Sequence, residues 1–331
     1  MTDRTSSMTG TARDVDVAGA VASLDAATSV TVLCHVNPDA DTIGSGLALG
    51  LAFERRGVPV RVAFAAPDAL PESMSSLPGR HLLVPPSDVP SSDDLVVAVD
   101  AGSAARLGRL ADRLDGARTS LVVDHHLSNT RFADANLVVP RAESTTAVLV
   151  EVFDAWGVDI DAEIATCLYA GLVTDTGSFR WVAPGSHALA ERLIATGVDA
   201  AAMARTLLDT HPFGWLPMLS AVLATATLHP AAAGGRGVVT ALVRAADSAG
   251  LRPEEIESVV DIVRTTQEAE VAAVFKEAAD GTWAVSLRSK SSVDVSAVAS
   301  RLGGGGHKRA AGYTSTAAAD DLVDELVAAL D

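Results

Sequence analysis

VTVLCHVNPDAD, residues 30–41, runs from an apolar segment straight into an imidazole and two carboxylates. Val30–Cys34 is expected to form a buried strand, and the residues after it a helix capped by Asp41 or Thr42. The carboxylates of Asp39 and Asp41 are so close in sequence that both stay ionised only if cations offset their repulsion. On this stretch alone, a metal site and a helix cap are equally good interpretations, because aspartate serves in both.

Strand-like and helix-like segments alternate from residue 14 to about residue 125, an order that predicts a parallel sheet covered by helices. Apolar runs typical of strands occupy residues 30–34, 60–65, 95–99 and 120–123. Three of these runs are followed directly by His35, Asp100 or Asp124. Because binding sites of open parallel sheets form at the carboxyl ends of strands, these side chains are expected to share one crevice.

The first part of the chain offers six candidate metal ligands: His35, Asp39, Asp41, Asp100, His125 and Asp175. Hard oxygen ligands mixed with imidazoles suit Mn²⁺, with Mg²⁺ or Co²⁺ as substitutes. Six ligands exceed the needs of one ion and suit two ions about 3.5–4 Å apart, with a bridging hydroxide placed for in-line attack on a phosphoryl group. Taken singly, Asp100 or Asp175 is better explained as a turn residue at the end of an element, but four such segments together favour the metal site.

The charge balance limits the kind of partner. The chain has 25 basic and 42 acidic side chains, a formal net charge of −17, which argues against binding of long nucleic acid. A small anionic substrate remains compatible, since bound cations dominate the local field. The length of 331 residues favours two domains. Without a signal-peptide core or a membrane-length apolar run, a cytoplasmic protein with no membrane partner is expected.

The second part of the chain contains a glycine-rich stretch, GGGGHKRAAG, at residues 303–312. Its four glycines let backbone N–H groups approach an anion, and His307 and its basic neighbours add positive charge. A flexible linker is the alternative, although a helix-like segment and an apolar strand flank the stretch. Arg288 could bind a phosphate or stack on a base, or it could be a solvated strand-edge residue. Three aromatic residues leave base stacking and ordinary packing equally open: Phe179, Trp181 and Tyr313.

Five motifs carry a family resemblance. HVNPDAD, AVDAG (98–102), VVDHH (122–126) and GLVTDTGSF (171–179) resemble the four metal-binding motifs of the DHH phosphoesterase superfamily. GGGGHKRAAG, preceded by Arg288, resembles the DHHA1 substrate domain. In length and domain pairing the chain is most similar to the bifunctional nanoRNase/pAp-phosphatase (NrnA-type) branch, some members of which are cyclic di-AMP phosphodiesterases.

The resemblance implies a role for each candidate residue. One ion would be held by His35 and Asp39, the other by Asp41, His125 and Asp175, with Asp100 between them. Asp124 would support the ligands or bind weakly, and His126 would meet the substrate phosphate and assist the leaving oxygen. The implied substrate-binding residues are Arg288, Ser289, Gly305, Gly306 and His307.

The implied fold is α/β: a parallel-sheet DHH catalytic domain with helices on both faces, joined by a helical linker to a smaller α/β DHHA1 domain. The expected ranges are a disordered tail at 1–13, the catalytic domain at 14–195, the linker at 196–216 and the DHHA1 domain at 217–331. The expected function is Mn²⁺-dependent hydrolysis of nanoRNA, pAp, cyclic di-AMP or pApA by a homodimer. Two alternatives stay open: a manganese inorganic pyrophosphatase or polyphosphatase, and a non-catalytic cyclic-dinucleotide sensor.

Overall fold

A computed structural model describes residues 12–330. The chain divides into two units, the first of which extends to Thr210. Six parallel strands form the sheet of this first unit. The strands in chain order are β1 (Arg13–Asp14), β2 (Val30–Cys34), β3 (Val60–Phe64), β4 (Leu95–Val99), β5 (Thr119–Asp124) and β6 (Ala135–Val138). Their order across the sheet is β1-β6-β5-β4-β2-β3. Most of the expected tail lies outside the described residues, and Arg13 already belongs to β1, where it pairs with Ala135.

The helices of this unit cover a sheet that is apolar on both faces. They are α1 (Val17–Asp25), α2 (Ala40–Arg55), α3 (Thr145–Trp156), α4 (Ala162–Asp175), α5 (Ser186–Ile194) and α6 (Ala200–Leu208). One face packs against α1 to α5 in a single core. The other face packs against the 3₁₀ helix Ala104–Arg113, through Leu107 and Leu110. Because side chains alternate along each strand, an all-apolar run such as Leu95–Val99 fills both cores and is buried throughout.

Within residues 211–330, the second unit has a mixed six-stranded sheet in the order β11-β12-β10-β9-β8-β7. Its strands are β7 (Thr227–His229), β8 (Val238–Val243), β9 (Val271–Glu277), β10 (Trp283–Ser289), β11 (Gly305–His307) and β12 (Ala310–Ser315). Its helices are α7 (Trp215–Ala224), α8 (Ala232–Gly235), α9 (Pro253–Glu257), α10 (Val259–Val263), α11 (Val295–Arg301) and α12 (Leu322–Leu330). The expected α/β class is confirmed, with a parallel sheet in the first unit and a second sheet after it.

The expected linker, 196–216, contains α6 and the start of α7, and the two units divide within it, after Thr210. No helix in the described part of the chain is both long enough and apolar enough to cross a bilayer.

Candidate metal centre

The predicted ligands converge where strands end and helices begin or end. His35 follows β2, Asp100 follows β4, and His125 follows β5. Asp41 lies in the first turn of α2, and Asp175 is the last residue of α4. The carboxyl ends of β2, β4 and β5 are neighbours in the sheet, so sequence-distant groups meet at one edge.

Asp100 stands between two groups of ligand atoms. Its Oδ2 lies 3.5 Å from His35 Nε2, which is also 3.4 Å from Asp39 Oδ2. Its Oδ1 lies 3.6 Å from His125 Nε2. The second group is completed by Asp175 Oδ2 and Asp41 Oδ2, which are 3.2 and 3.9 Å from the same nitrogen. The Asp100 carboxylate thus offers one oxygen to each group, as a bridging ligand must.

The two imidazoles are oriented as metal ligands require. His35 Nδ1 lies 2.9 Å from the carbonyl oxygen of Val36, and His125 Nδ1 lies 3.2 Å from that of Ala142. A carbonyl accepts a hydrogen bond, so each Nδ1 carries a proton, and each Nε2, which faces the carboxylates, is the nitrogen left to coordinate an ion. The donor set and its tautomers therefore fit a pair of divalent ions.

Without cations, this cluster must hold protons. Burial, reinforced by the other carboxylates, raises the pKa of Asp41 and of Asp175 to about 7. Burial also raises the pKa of Asp100. Burial alone would lower the pKa of His35, but Asp39 and Asp100 raise it to about 10. Divalent cations would replace these protons as counter-charges, which is how such a cluster can remain ionised.

Asp39 combines the two roles between which the sequence left a choice. One carboxylate oxygen caps the helix, and the other is placed to bind a metal ion. Its Oδ1 accepts the backbone N–H groups of Asp41 and Thr42, each at 3.1 Å, and so caps α2. Its Oδ2 faces His35. The expected cap at Asp41 or Thr42 is wrong, because the helix already begins at Ala40.

Asp41 is held by the start of a helix about a hundred residues away, which sequence reasoning missed. Its Oδ2 accepts the N–H of Thr145 at 2.7 Å, and its Oδ1 accepts the N–H and hydroxyl of Thr146. The Thr145 hydroxyl donates to Asp100 Oδ1 at 2.9 Å. The amino terminus of α3 therefore stabilises the anionic centre through N–H groups that have no acceptor within the helix. The polar triplet Ser144-Thr145-Thr146 before an apolar run was the available signal.

The predicted catalytic pair, Asp124 and His126, forms a separate dyad beside Asp100. His126 Nδ1 lies 2.7 Å from Asp124 Oδ1 and 3.6 Å from Asp100 Oδ1. The other oxygen of Asp124 accepts from the Asn129 side chain at 2.6 Å. Burial opposes ionisation, yet His126 and Asn129 hold the pKa of Asp124 at about 2. Sequence reasoning missed Asn129, whose amide fixes the carboxylate that orients His126.

Gly171 lets α4 approach the ligands closely, and a methyl group there is expected to displace one of them. A Cβ at Gly171 would overlap Asp41 Oδ1 and Thr146 Oγ1. We expect Gly171→Ala to weaken Mn²⁺ binding by about 10- to 100-fold, the range seen when a ligand's support is lost. Calorimetric titration with Mn²⁺ measures the effect. Gly102→Ala is the matched control, because its methyl group would meet nothing closer than 3.7 Å; equal losses in both variants would contradict the assignment.

The predicted substrate-binding residues lie in the second unit, on β10 and β11. Arg288 pairs across strands with Ala310, which pairs in turn with His307. Directly paired residues of antiparallel strands point to the same side, so Arg288 and His307 share a face, separated by about 10 Å. Ser289 and Gly305 lie next to them, with the Ser289 hydroxyl donating to Glu270 at 3.2 Å.

Gly306 has a backbone role in this region. Its φ is +141°, and a Cβ there would lie 2.6 Å from the carbonyl oxygen of Ala310. Of the three aromatic residues, Tyr313 lies in the core of the second unit and is 5% exposed, and Phe179 packs against the core of the first unit. Trp181 is 40% exposed, and its indole N–H donates to the carbonyl of Asp175 at 2.7 Å.

The fold and the paired ligand groups define a class of metal-dependent phosphoesterases, and sequence comparison agrees. The DHH family, N-terminal domain, matches residues 29–172, and the DHHA1 domain matches residues 229–331. The bifunctional oligoribonuclease and PAP phosphatase NrnA of Thermus thermophilus is 30% identical over 287 residues, covering 86% of this chain and 83% of that protein. The chain belongs to the DHH–DHHA1 family and is a DHH-family phosphoesterase.

Two further comparisons extend the family relationship. The cyclic-di-AMP phosphodiesterase GdpP of Geobacillus thermodenitrificans is 28% identical over 226 residues, covering 66% of this chain and 32% of that protein. The crystal structure of an exopolyphosphatase-related protein from Bacteroides fragilis has a TM-score of 0.85 at 21% identity and covers 95% of each chain. The structural likeness shows a common fold.

Proposed function

We propose that this protein is a Mn²⁺-dependent phosphoesterase that hydrolyses short nucleotides, namely nanoRNA, pAp, and cyclic di-AMP or its linear product pApA. The observation that carries the proposal is the Asp100 carboxylate, whose two oxygens face His35 and His125 separately. Together with that bridge, three further carboxylates and two imidazoles match the hard donor set of Mn²⁺.

Two bound ions would polarise a phosphoryl oxygen and lower the pKa of a water molecule, while the chain's own residues handle the leaving group. Burial opposes protonation of His126, but the hydrogen bond to Asp124 raises its pKa above the ordinary value. Asp124 fixes the proton on Nδ1, so His126 Nε2 can deliver a second proton to a departing ribose oxygen. In this scheme Asp124 orients and charges His126, and His126 acts as the general acid.

The preference for nucleotides is supported by the second unit and by the relatives' names. Arg288 can form two parallel hydrogen bonds to a phosphate or stack on a base. Ser286, Gly312 and Gly305 are paired across three strands beside it, so two of the three positions in that row have no side chain. The absence of side chains at Gly305 and Gly312 leaves room for a base beside Arg288 and His307. The net charge of −17 suits a small substrate better than a long strand.

A substrate panel tests the proposal. The Mn²⁺-loaded protein would be assayed with cyclic di-AMP, pApA, pAp, a short RNA and pyrophosphate, each with and without EDTA. Metal-dependent turnover of any nucleotide, faster than that of pyrophosphate, supports the proposal. Hydrolysis of pyrophosphate alone would favour the pyrophosphatase alternative, and tight cyclic di-AMP binding without any turnover would favour a sensor.

Arg288→Ala is expected to impair nucleotide substrates selectively. Loss of one charge-assisted contact should lower kcat/KM for pApA by about 10- to 100-fold. Bis(p-nitrophenyl) phosphate has no base and no second phosphate for Arg288 to bind, so its hydrolysis should change little. Arg236→Ala removes an exposed arginine elsewhere in the same unit and is the control. Equal losses on both substrates would assign Arg288 a structural role.

A further inference from the structure

Arg106 lies at the edge of the metal centre and has no role in the scheme above. It belongs to the 3₁₀ helix Ala104–Arg113, which follows β4 and Asp100. Its side chain is exposed, and its Nη2 lies 3.1 Å from His35 Nδ1. Its positive charge helps to hold the pKa of Asp39 low, after the stronger effect of His35 and against burial.

The contact between Arg106 and His35 cannot be a hydrogen bond when His35 binds a metal ion. Coordination uses the lone pair of Nε2, so Nδ1 then carries the proton and donates it to the carbonyl oxygen of Val36, 2.9 Å away. A protonated nitrogen accepts nothing from a guanidinium, which itself has only donors. In the metal-loaded centre, the guanidinium of Arg106 therefore lies beside a ligand imidazole that cannot accept a hydrogen bond from it.

The backbone, and not this side-chain contact, fixes the position of Arg106. Its carbonyl oxygen accepts the N–H of Val36 at 2.8 Å. Two residues further on, Gly108 has a φ of +55°, and a Cβ there would lie 2.8 Å from Val36 Cγ1 and 3.1 Å from Ala65 Cβ. The glycine lets this segment pack directly on the loop that carries His35. The Cα atom of Arg106 is thereby fixed at a position from which the guanidinium reaches the ion site.

We propose that Arg106 binds a non-bridging oxygen of the substrate phosphoryl group, next to the ion held by His35 and Asp39. The proposal rests on the proposed function, because it takes the substrate to be a phosphoester bound at this centre. Guanidinium matches the geometry of a phosphate and stays charged at any working pH. The anion would supply the acceptor that His35 cannot, and Arg106 would stabilise negative charge that grows on the phosphoryl oxygens during attack.

If Arg106 only positioned His35, its removal would change the affinity for Mn²⁺ differently than if Arg106 binds the phosphoryl group. If Arg106 served mainly to hold His35, its loss would disorder a ligand and weaken Mn²⁺ binding. If it binds the phosphoryl group, its loss removes a positive charge from the neighbourhood of two cations, so Mn²⁺ binding is retained or tightened. Anion binding would then be lost while the metal stays bound.

The test compares Arg106→Gln with Arg109→Gln, which removes the same charge three residues away, where the arginine lies near the exposed Asp68. Calorimetry would measure Mn²⁺ binding to each protein, and then binding of inorganic phosphate to each Mn²⁺-loaded protein. Arg106→Gln should weaken phosphate binding and lower kcat/KM for pAp by about 10- to 100-fold, as loss of a charge-assisted hydrogen bond implies. Its Mn²⁺ affinity should equal or exceed that of the parent, and Arg109→Gln should match the parent throughout.

Weakened Mn²⁺ binding by Arg106→Gln, or unchanged phosphate binding, would overturn the proposal. Arg106→Lys keeps the charge but not the forked donors, so partial recovery of phosphate binding supports it. A parent protein that binds Mn²⁺ and phosphate but hydrolyses no ester would refute the proposed function alone. The phosphate titration would still decide the role of Arg106 in that case.

Discussion

Asp100→Asn is expected to lower phosphoester hydrolysis by about 10³-fold or more, because the amide cannot bridge two cations as a carboxylate does. The backbone should tolerate the change: Asp100 has a φ of +55°, and asparagine shares aspartate's tolerance of that left-handed conformation. The hydroxyl of Thr145 can still donate to the remaining side-chain oxygen. Turnover of pAp in saturating Mn²⁺ measures the loss, and calorimetry should give fewer than two bound ions.

The same variant should be more stable than the parent when no metal is present. Burial raises the pKa of Asp100, so ionisation of this carboxyl is less favourable in the folded protein than in the unfolded chain. Asparagine removes that charge, and thermal unfolding in EDTA should occur at a higher temperature than in the parent. Asp161→Asn, which keeps a capping side chain at the start of α4, is the control for activity and stability. Parent-like turnover by Asp100→Asn would contradict the bridging role.

The placement of the centre could be predicted because it depends on local sequence and one topological rule. Leu95–Val99 and the apolar part of β5 are uninterrupted apolar runs, as is typical of strands buried on both faces, and Val30–Cys34 is interrupted only by Thr31. A polar residue that directly follows such a run lies at the carboxyl edge of the sheet. His35 and Asp100 could be located in this way from the amino-acid sequence alone.

The support of the centre could not be predicted, because it depends on contacts between segments distant in sequence. Asp41 and Thr146 are 105 positions apart, and no local pattern relates them. Gly171 reads as an ordinary helix glycine until the carboxylate beside it is located. Arg106 is a single basic residue with no periodicity, and only the fold brings it to His35.

Short elements set a second limit on prediction. β1 has two residues and β11 has three, so neither contains enough alternation to indicate a strand. Residues 253–264 carry the sequence signals of one helix that begins with a proline, but the structure has two short helices that meet at Ser258. The sequence signal of the helix start was correct, since Pro253 opens α9, but nothing in the local pattern indicates the break.

Removal of divalent ions is expected to abolish hydrolysis. In the metal-free protein, the free energy of unfolding should then decrease as the pH rises from about 5 to about 9. Asp41 and Asp175, with pKa values raised to about 7, bind protons in the folded state that the unfolded chain has already lost. His35, raised to about 10, keeps its proton in the folded state after the unfolded chain has lost it. Both effects have the same sign: the native state binds more protons, so raising the pH favours unfolding.

Mn²⁺ should oppose this trend, because the ions bind the ionised carboxylates and the unprotonated Nε2 atoms that a higher pH provides. Unfolding temperatures measured across this pH range in EDTA and in saturating Mn²⁺ should therefore diverge as the pH rises. The carboxylates of Asp39 and Asp124 do not disturb the comparison, since both have a lowered pKa and titrate below this range. Parallel curves would mean that the ions bind elsewhere, and the cluster around Asp100 would then lose its assignment as the metal centre.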